Sequence, residues 1–384
     1  MALKSRWGGR LAGPLLLLLS LLLSLVLAEG FLRLALNPGD YLSVELVPDE
    51  VLKHRVKPHS AGHDAWGFRN PEVPGSADIL ALGDSQTYGV AAPGTRSWPA
   101  QLQRLTGRRV YNLALGGYGP AQYAHLLETR GLTLHPSVVI LGFYFGNDLG
   151  DAFEMVYRYP AWAHLRDPAF TPAPPDTTAE APHFLQGPRL WLGRHSVLYR
   201  LFSFHLAGQL RFLEMKLRGS ADQALVVDDK TVGIRTGFTP AMRLEVLDTS
   251  IPEIAEGWRL TQGFLDRIAG VCRNHGVRLV VLLIPTKESV YAAGLPGVVP
   301  ARHEAFPALI AAEEAVRRAV VARCDSLGLP WVDPLPEMAA AVRRGEAIYP
   351  SNQDGHPNGK GYAIIAGELA KRLGGIAETS TISP

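Results

Sequence analysis

The sequence predicts an α/β protein, a parallel sheet of five strands with helices on both faces. Two observations predict it. Apolar runs of strand length recur along the chain, several of them apolar at every position, as strands covered on both faces are. Stretches with helical spacing separate those runs, and alternation of this kind gives a parallel sheet wrapped by helices. At 384 residues, 47% hydrophobic and 19% charged, the chain can bury a large core as one domain with an insertion or as two modest ones.

Taken in order, the chain opens with Lys4, Arg6 and Arg10 ahead of an apolar run from Leu11 to Ala28. Only Gly13, Pro14 and two serines interrupt the run, and no acid precedes Glu29. As a helix it is about 27 Å long, close to the hydrocarbon thickness of a bilayer. The basic flank orients the N-terminus to the cytoplasm and the remainder outside it. Val26-Leu27-Ala28 also resembles a signal-peptide cleavage site. We favour an uncleaved anchor over residues 1–36, because apolar residues continue through Phe31, Leu32, Leu34 and Leu36. Residues 37–76 are rich in Pro, Gly and charge and read as a linker packed onto the domain. His54, His59 and His63 fall there with a spacing that fits no standard zinc pattern, so they read as solvated loop histidines.

The main domain is expected over 77–374, with an insertion at 149–256 and a tail at 375–384. Ile79 to Leu82 form the first strand and run into Gly83-Asp84-Ser85, a tight turn. A helix over Trp98 to Leu105, a strand over Val110 to Leu113, a helix over Ala121 to Gly131 and a strand over Val138 to Phe145 follow. Beyond the insertion come a helix from Trp258 to His275 and a strand from Val277 to Ile284. A helix from Ala305 to Leu327, a fifth strand from Pro330 to Asp333 and a closing helix from Tyr362 to Leu373 complete the alternation.

A net charge of +2, from 38 basic and 36 acidic residues, gives no basic surplus for nucleic acid. Cys272 and Cys324 read as buried free thiols, although an oxidising compartment would let neighbouring helices pair them.

The strand exits carry the chemistry. In a parallel sheet, ligands bind at the carboxyl ends of the strands, and right-handed crossovers put those ends on one edge. The first strand delivers Ser85. The second ends in Gly116-Gly117-Tyr118-Gly119, where backbone N–H groups are free to donate. The third ends in Gly146-Asn147-Asp148. The long loop after the last strand holds Asp354-Gly355-His356-Pro357. A hydroxyl, an imidazole with a nearby carboxylate, an amide side chain and glycine amides are the parts acyl transfer needs. Each also has a structural reading: Asp84 or Ser85 can cap a helix, Asn147 and Asp148 can do the same, and Asp333 reads as structural. His125 and His205 read as packing or surface residues.

With Gly83-Asp84-Ser85, Gly117, Gly146-Asn147-Asp148 and Asp354 with His356 in that order, the chain resembles the SGNH hydrolases, also called the GDSL family. It looks most like membrane-anchored bacterial members that carry a long insertion. The resemblance implies a flavodoxin-like three-layer sandwich and an esterase. It implies Ser85 as nucleophile, His356 as general base, and an oxyanion hole from the Ser85 and Gly117 amides and the Asn147 side chain. It calls for no cofactor and no metal. The family spacing is D-x-x-H, whereas here Gln353 stands three before His356 and Asp354 two before it. A related group that modifies exopolysaccharides shows D-x-H, so Asp354 is the candidate for orienting the imidazole.

No G-x-S-x-G elbow, H-E-x-x-H or completed dinucleotide fingerprint occurs, and Asn358-Gly359-Lys360-Gly361 lacks the hydroxyl residue of a P-loop. The expectation is a serine ester hydrolase, periplasmic or extracellular, acting through an acyl-enzyme on a small-molecule or glycan ester, a carbohydrate O-acyl or lipid ester. An O-acyltransferase using the same residues and an inactive glycan-binding module are the rivals. The insertion carries Tyr157, Tyr159, Trp162 and the run Thr171 to Pro175, and then a basic, apolar stretch from Ser196 to Leu217. It reads as a cap over the site with aromatic contacts to substrate, as a packing subdomain, or as a membrane-surface segment. Lys287, just past a strand exit, could reach a substrate anion, but reads first as a solvated loop lysine.

Overall fold

The computed structural model describes residues 8–173, 186–203, 225–229, 234–299, 301 and 303–380. Among the described residues nine strands run in chain order: β1 Leu46–Asp49, β2 Lys53–Val56, β3 Ile79–Gly83, β4 Val110–Ala114, β5 Val138–Tyr144, β6 Leu225–Asp229, β7 Ile234–Phe238, β8 Arg278–Ile284 and β9 Trp331–Val332. Five of them form one sheet in the order β4-β3-β5-β8-β9, with every pairing parallel. The expected α/β architecture is present, and with its strands counted along the chain the order is the flavodoxin-like 2-1-3-4-5.

The two-residue period of the strands divides the core in two. Leu80, Leu82, Val139, Leu141, Phe143, Val281 and Leu283 face one layer, with the helices Pro120–Thr129, Asp148–Arg158 and Pro252–Asn274. Ile79, Ala81, Val138, Ile140, Val280, Leu282 and Ile284 face the other, with Trp98–Thr106, Leu335–Arg343 and Gly359–Ser380. Neither face meets water, which is why these strands read as unbroken apolar runs.

Several elements lie outside the simple alternation. The helix Pro252–Asn274 starts six residues before the expected Trp258, since Pro252 at its first turn has a backbone angle already set for a helix. The stretch read as linker contains an antiparallel hairpin, β1 with β2. It is fastened to the sheet: Asp64 accepts the Tyr111 hydroxyl at 2.7 Å, and Asn70 exchanges hydrogen bonds with the Asn112 backbone. A second hairpin, β6 with β7, lies in the insertion.

The N-terminal helix spans Gly8–Ala35, longer than the apolar run. Its stretch Gly13–Ala35 has a mean hydropathy of 2.5 and is unburied, the one helix among the described residues long and apolar enough to cross a membrane. A signal sequence satisfies the same test. Past Ala28 the helix is held by Glu29, which pairs with Arg33 and accepts the Val197 and Leu198 amides and the Ser196 hydroxyl. Cys272 and Cys324 are free, buried thiols, each pushed up to about 12 by burial.

Under the edge of the sheet, buried Glu313 accepts the Thr286 hydroxyl at 2.5 Å, the Ser289 hydroxyl at 2.6 Å and the Arg317 guanidinium at 2.8 Å. Arg317 also pairs with Asp333 at 2.7 Å, so Asp333 is structural, as its place at a strand end suggested. Replacing Arg317 with Met strands the Glu313 carboxyl in the core. It is expected to cost about 3 kcal/mol, read as a lowered midpoint in urea unfolding. An unchanged midpoint would contradict this network.

Candidate active site

The site begins where β3 ends. All five residues of β3 are buried, and a Cβ on Gly83 would collide with the Thr87 side chain. Asp84 then caps the short helix Ser85–Tyr88, its Oδ1 accepting the Gln86 N–H at 2.9 Å. The strand-to-helix turn therefore puts the Ser85 hydroxyl at the rim, with its own N–H at a helix start. The register pairs Gly83 with Ala114, so the exits of β3 and β4 are level and bring Gly116 alongside Ser85, where a Cβ on Gly116 would stand 3.5 Å from the Ser85 Cβ.

His356 arrives from the loop before the closing helix. Its Nε2 lies 2.8 Å from Ser85 Oγ, and its Nδ1 lies 2.5 Å from Asp354 Oδ1. The same Asp354 oxygen accepts the His356 backbone N–H at 3.0 Å. A spacing of two residues thus suffices, because the carboxylate folds back over its own loop onto both the amide and the ring. The tautomer that satisfies both contacts carries its proton on Nδ1 and leaves Nε2 to accept from the Ser85 hydroxyl. Burial pushes the Asp354 carboxyl up, but hydrogen bonds and charge from His356, with Lys287 nearby, hold it below its ordinary value.

Asn147 stands at the start of the helix Asp148–Arg158 without capping it through its side chain. Its Nδ2 instead donates to Asp84 Oδ2 at 3.3 Å, the oxygen that the Ser85 hydroxyl also reaches at 3.3 Å. Asn147 is thus tied to the Ser85 turn with a second N–H to spare. Asp84 is fully buried, and burial pushes its carboxyl up against the hydrogen bonds it accepts. Asp148 takes the structural part: it accepts the Tyr144 N–H at 2.9 Å and the Tyr123 hydroxyl at 2.8 Å.

Two expectations need correction. Lys287 is not solvated; its side chain is fully buried, and Nζ donates to the carbonyls of Asn352 at 2.7 Å and Asp354 at 3.2 Å and lies 3.4 Å from that of Pro350. Burial lowers its ammonium to about 8, opposed by Glu288 and Asp354. An ammonium can be buried there because the loop offers it a fan of acceptors. His54 and His63 are not solvated either. His54 lies half-buried against Gly116, and His63 is buried between the Ser60 carbonyl and the Tyr88 hydroxyl. Of the insertion's aromatics, half-buried Tyr157 stacks on Phe153, Trp162 donates to the Val51 carbonyl, and half-buried Tyr159 packs against the core. His125 lies edge-on to Trp162, whereas His205, residues 174–175 and 204–217 lie outside the described residues. No cluster of metal-ligating side chains occurs among the described residues.

What the sequence did not signal is the brace on the His356 loop. Besides Lys287, the hairpin β6–β7 supports it: the Gly237 N–H and the Thr236 hydroxyl donate to the Asn352 carbonyl at 3.1 and 3.2 Å. Arg243 donates to the Gly146 carbonyl at 3.1 Å, next to Asn147.

No protein-family model matches the sequence, and no curated protein matches it. Among solved structures, the chain is similar to an extracellular lipase from Streptomyces rimosus, with a TM-score of 0.41 and 15% identity over 78% of this chain and 99% of that one. Phospholipase A1 from Streptomyces albidoflavus gives 0.38 and 13% over 78% and 99%, and a GDSL-like lipase from Bacteroides thetaiotaomicron gives 0.34 and 10% over 78% and 88%. Likeness of this degree assigns no chemistry, which rests on the distances above.

Two outcomes test the geometry. Lys287→Met removes the donors that hold the loop and is expected to lower stability by about 1–3 kcal/mol together with any ester turnover; exposed Lys360→Met should change neither. Because the folded Asp354 carboxyl titrates below its ordinary value, its contribution to stability is present at neutral pH and is lost as pH falls through the folded value. The gap in urea midpoint between wild type and Asp354→Asn should therefore be open at pH 7 and narrow below about pH 4. A gap that widens on acidification would contradict this. Ser85, Asn147 and the Asp354–His356 pair, from blocks that resemble the SGNH motifs, meet at one rim of a flavodoxin-like sheet.

Proposed function

We propose that the chain is a serine ester hydrolase of the SGNH type, tethered by its N-terminal helix with the hydrolase domain outside the cytoplasm. One observation carries the reading: Ser85 Oγ lies 2.8 Å from His356 Nε2, with the Asp354 carboxylate on the other ring nitrogen. A nucleophile, its base and the group that orients the base are the minimum for acyl transfer.

In this mechanism Ser85 Oγ attacks the ester carbonyl carbon as its proton passes to His356 Nε2. The oxygen that becomes negative accepts hydrogen bonds from the Ser85 and Gly117 amides and from Asn147 Nδ2. Collapse of the tetrahedral intermediate expels the alcohol, which takes the proton from His356. Water then attacks the acyl-enzyme with His356 as base, releasing the acid and regenerating Ser85. Asp354 fixes the tautomer and stabilises the imidazolium.

A fluorophosphonate is expected to label the folded full chain, and Ser85→Ala to abolish the labelling. Turnover of an aryl ester should fall more than about 10⁴-fold in Ser85→Ala and His356→Ala, and less in Asp354→Asn. Absence of labelling would overturn the reading in favour of a binding module. Acyl transfer to a glycan hydroxyl that outpaces hydrolysis would make the protein an O-acyltransferase. The tether predicts that the full chain stays with membranes through an alkaline wash; release of a chain beginning at Glu29 would show a cleaved signal instead.

A further inference from the structure

His54 touches the site without a part in the mechanism. It projects from β2, and its Nε2 lies 3.0 Å from the carbonyl oxygen of Gly116. A carbonyl only accepts, so Nε2 carries the proton. Burial lowers the imidazole below its ordinary value, against the contact with Gly116, so the neutral ring is the donor near neutral pH.

The Gly116 carbonyl and the Gly117 N–H are the two ends of one peptide unit. No cis peptide bond occurs among the described residues, and in a trans unit these groups point opposite ways. With its carbonyl turned to His54, the unit turns its N–H away from His54. Ser85 is a close neighbour of this unit, since a Cβ on Gly116 would stand 3.5 Å from the Ser85 Cβ. Among the described residues the Gly117 N–H has no hydrogen-bond acceptor.

The turn itself makes this orientation a matter of choice. The Tyr118 N–H donates to the Leu115 carbonyl at 3.2 Å, and Gly117 has φ +78°, the positive value that a type II turn requires at its third residue. Types I and II differ mainly by rotation of the central peptide, with the outer residues left in place. Two adjacent glycines make both states accessible. A hydrogen bond to the central carbonyl selects one of them. His54 is itself held in place: the Tyr118 hydroxyl donates to its carbonyl at 2.9 Å, its ring lies 5.5 Å from that of Tyr118, and neighbouring Lys53 pairs with Glu154 at 3.1 Å.

We propose that His54 is a positioning residue of the oxyanion hole, holding the Gly116–Gly117 peptide so that the Gly117 N–H stays available to the developing oxyanion. This rests on the hydrolase reading of Ser85. It makes the hairpin next to the membrane anchor part of the site's machinery.

The test uses the full chain, an aryl ester and four variants. His54→Ala is expected to lower kcat about 10- to 100-fold with KM within about twofold, because the oxyanion interaction exists only in the transition state. His54→Gln, whose amide can donate to the same carbonyl, should recover most of the loss at an equal unfolding midpoint. Tyr118→Phe, which frees the His54 backbone, should show a smaller loss in the same direction and keeps the proposal testable if His54→Ala fails to fold. Wild-type kcat in His54→Ala, or in Tyr118→Phe where that variant alone folds, would overturn the proposal. A loss confined to KM, or one that tracks the midpoint and that Gln fails to recover, would do the same. Ser85→Ala separates the two readings: if it retains wild-type turnover the hydrolase reading falls, whereas if it is inactive and His54→Ala is unaffected only the role of His54 falls.

Discussion

The contact between Ser85 and His356 joins positions 271 residues apart, and the site depends on what holds its two ends together. The Ser85 end is fixed by the sheet, since β3 is buried on both faces and ends in a capped turn. The His356 end lies in a loop with no regular structure from Pro350 to Asn358. Left to itself, such a loop would not hold an imidazole to within a fraction of an ångström. The buried Lys287 ammonium supplies the constraint by drawing the carbonyls of that loop onto one point, and β7 adds donors from the other side. Lys287 in turn follows Thr286, which is locked to Glu313 in the network that includes Arg317 and Asp333. The chain of buried polar contacts therefore runs from the sheet edge to the His356 loop.

A second constraint is electrostatic. Acids collect beneath Ser85: burial pushes Asp84 and Asp148 up, and pushes Asp151 up to about 7. A full negative charge on Asp84 would oppose an oxyanion forming on the carbonyl next to it, and its burial disfavours that charge. Asp354 goes the other way, held below its ordinary value by His356 against the effect of burial. Burial thus works against the charge on Asp84, whereas pairing with His356 favours it on Asp354.

Most of the sheet was legible because strands covered on both faces are apolar where they are buried, as Ile79–Gly83, Val138–Tyr144 and, after exposed Arg278, the rest of Arg278–Ile284 are. Ser85, Asn147, Gly117 and His356 could be singled out because strand exits in such a sheet share one edge. The short hairpin β1–β2 was not legible: its strands, Leu46–Asp49 and Lys53–Val56, have four residues each and no apolar–polar alternation in sequence. Lys287 and His54 misled for one reason. A lysine or histidine in a polar stretch ordinarily faces water, and both are instead consumed by backbone carbonyls that only the fold brings near. Thr286 capping the helix after β8 was the one local sign that Lys287 begins a packed helix. The closer spacing of Asp354 became intelligible only from its double contact with the amide and the ring of His356.

The insertion is more than an addition to the fold. Its hairpin and Arg243 reach the loops that hold His356 and Asn147, while Glu29 of the N-terminal helix clamps residues 196–198. The N-terminal helix thus contacts one part of the insertion, and another part of it contacts the site. The central claim is that Ser85 carries the acyl group during turnover. Rapid acid quench of the full chain with an activated acetyl ester, followed by proteolysis and mass spectrometry, tests it most directly: the account predicts an acetyl adduct on the peptide that contains Ser85. An adduct confined to another residue, or ester turnover that proceeds with no adduct on any peptide under conditions that slow deacylation, would contradict it.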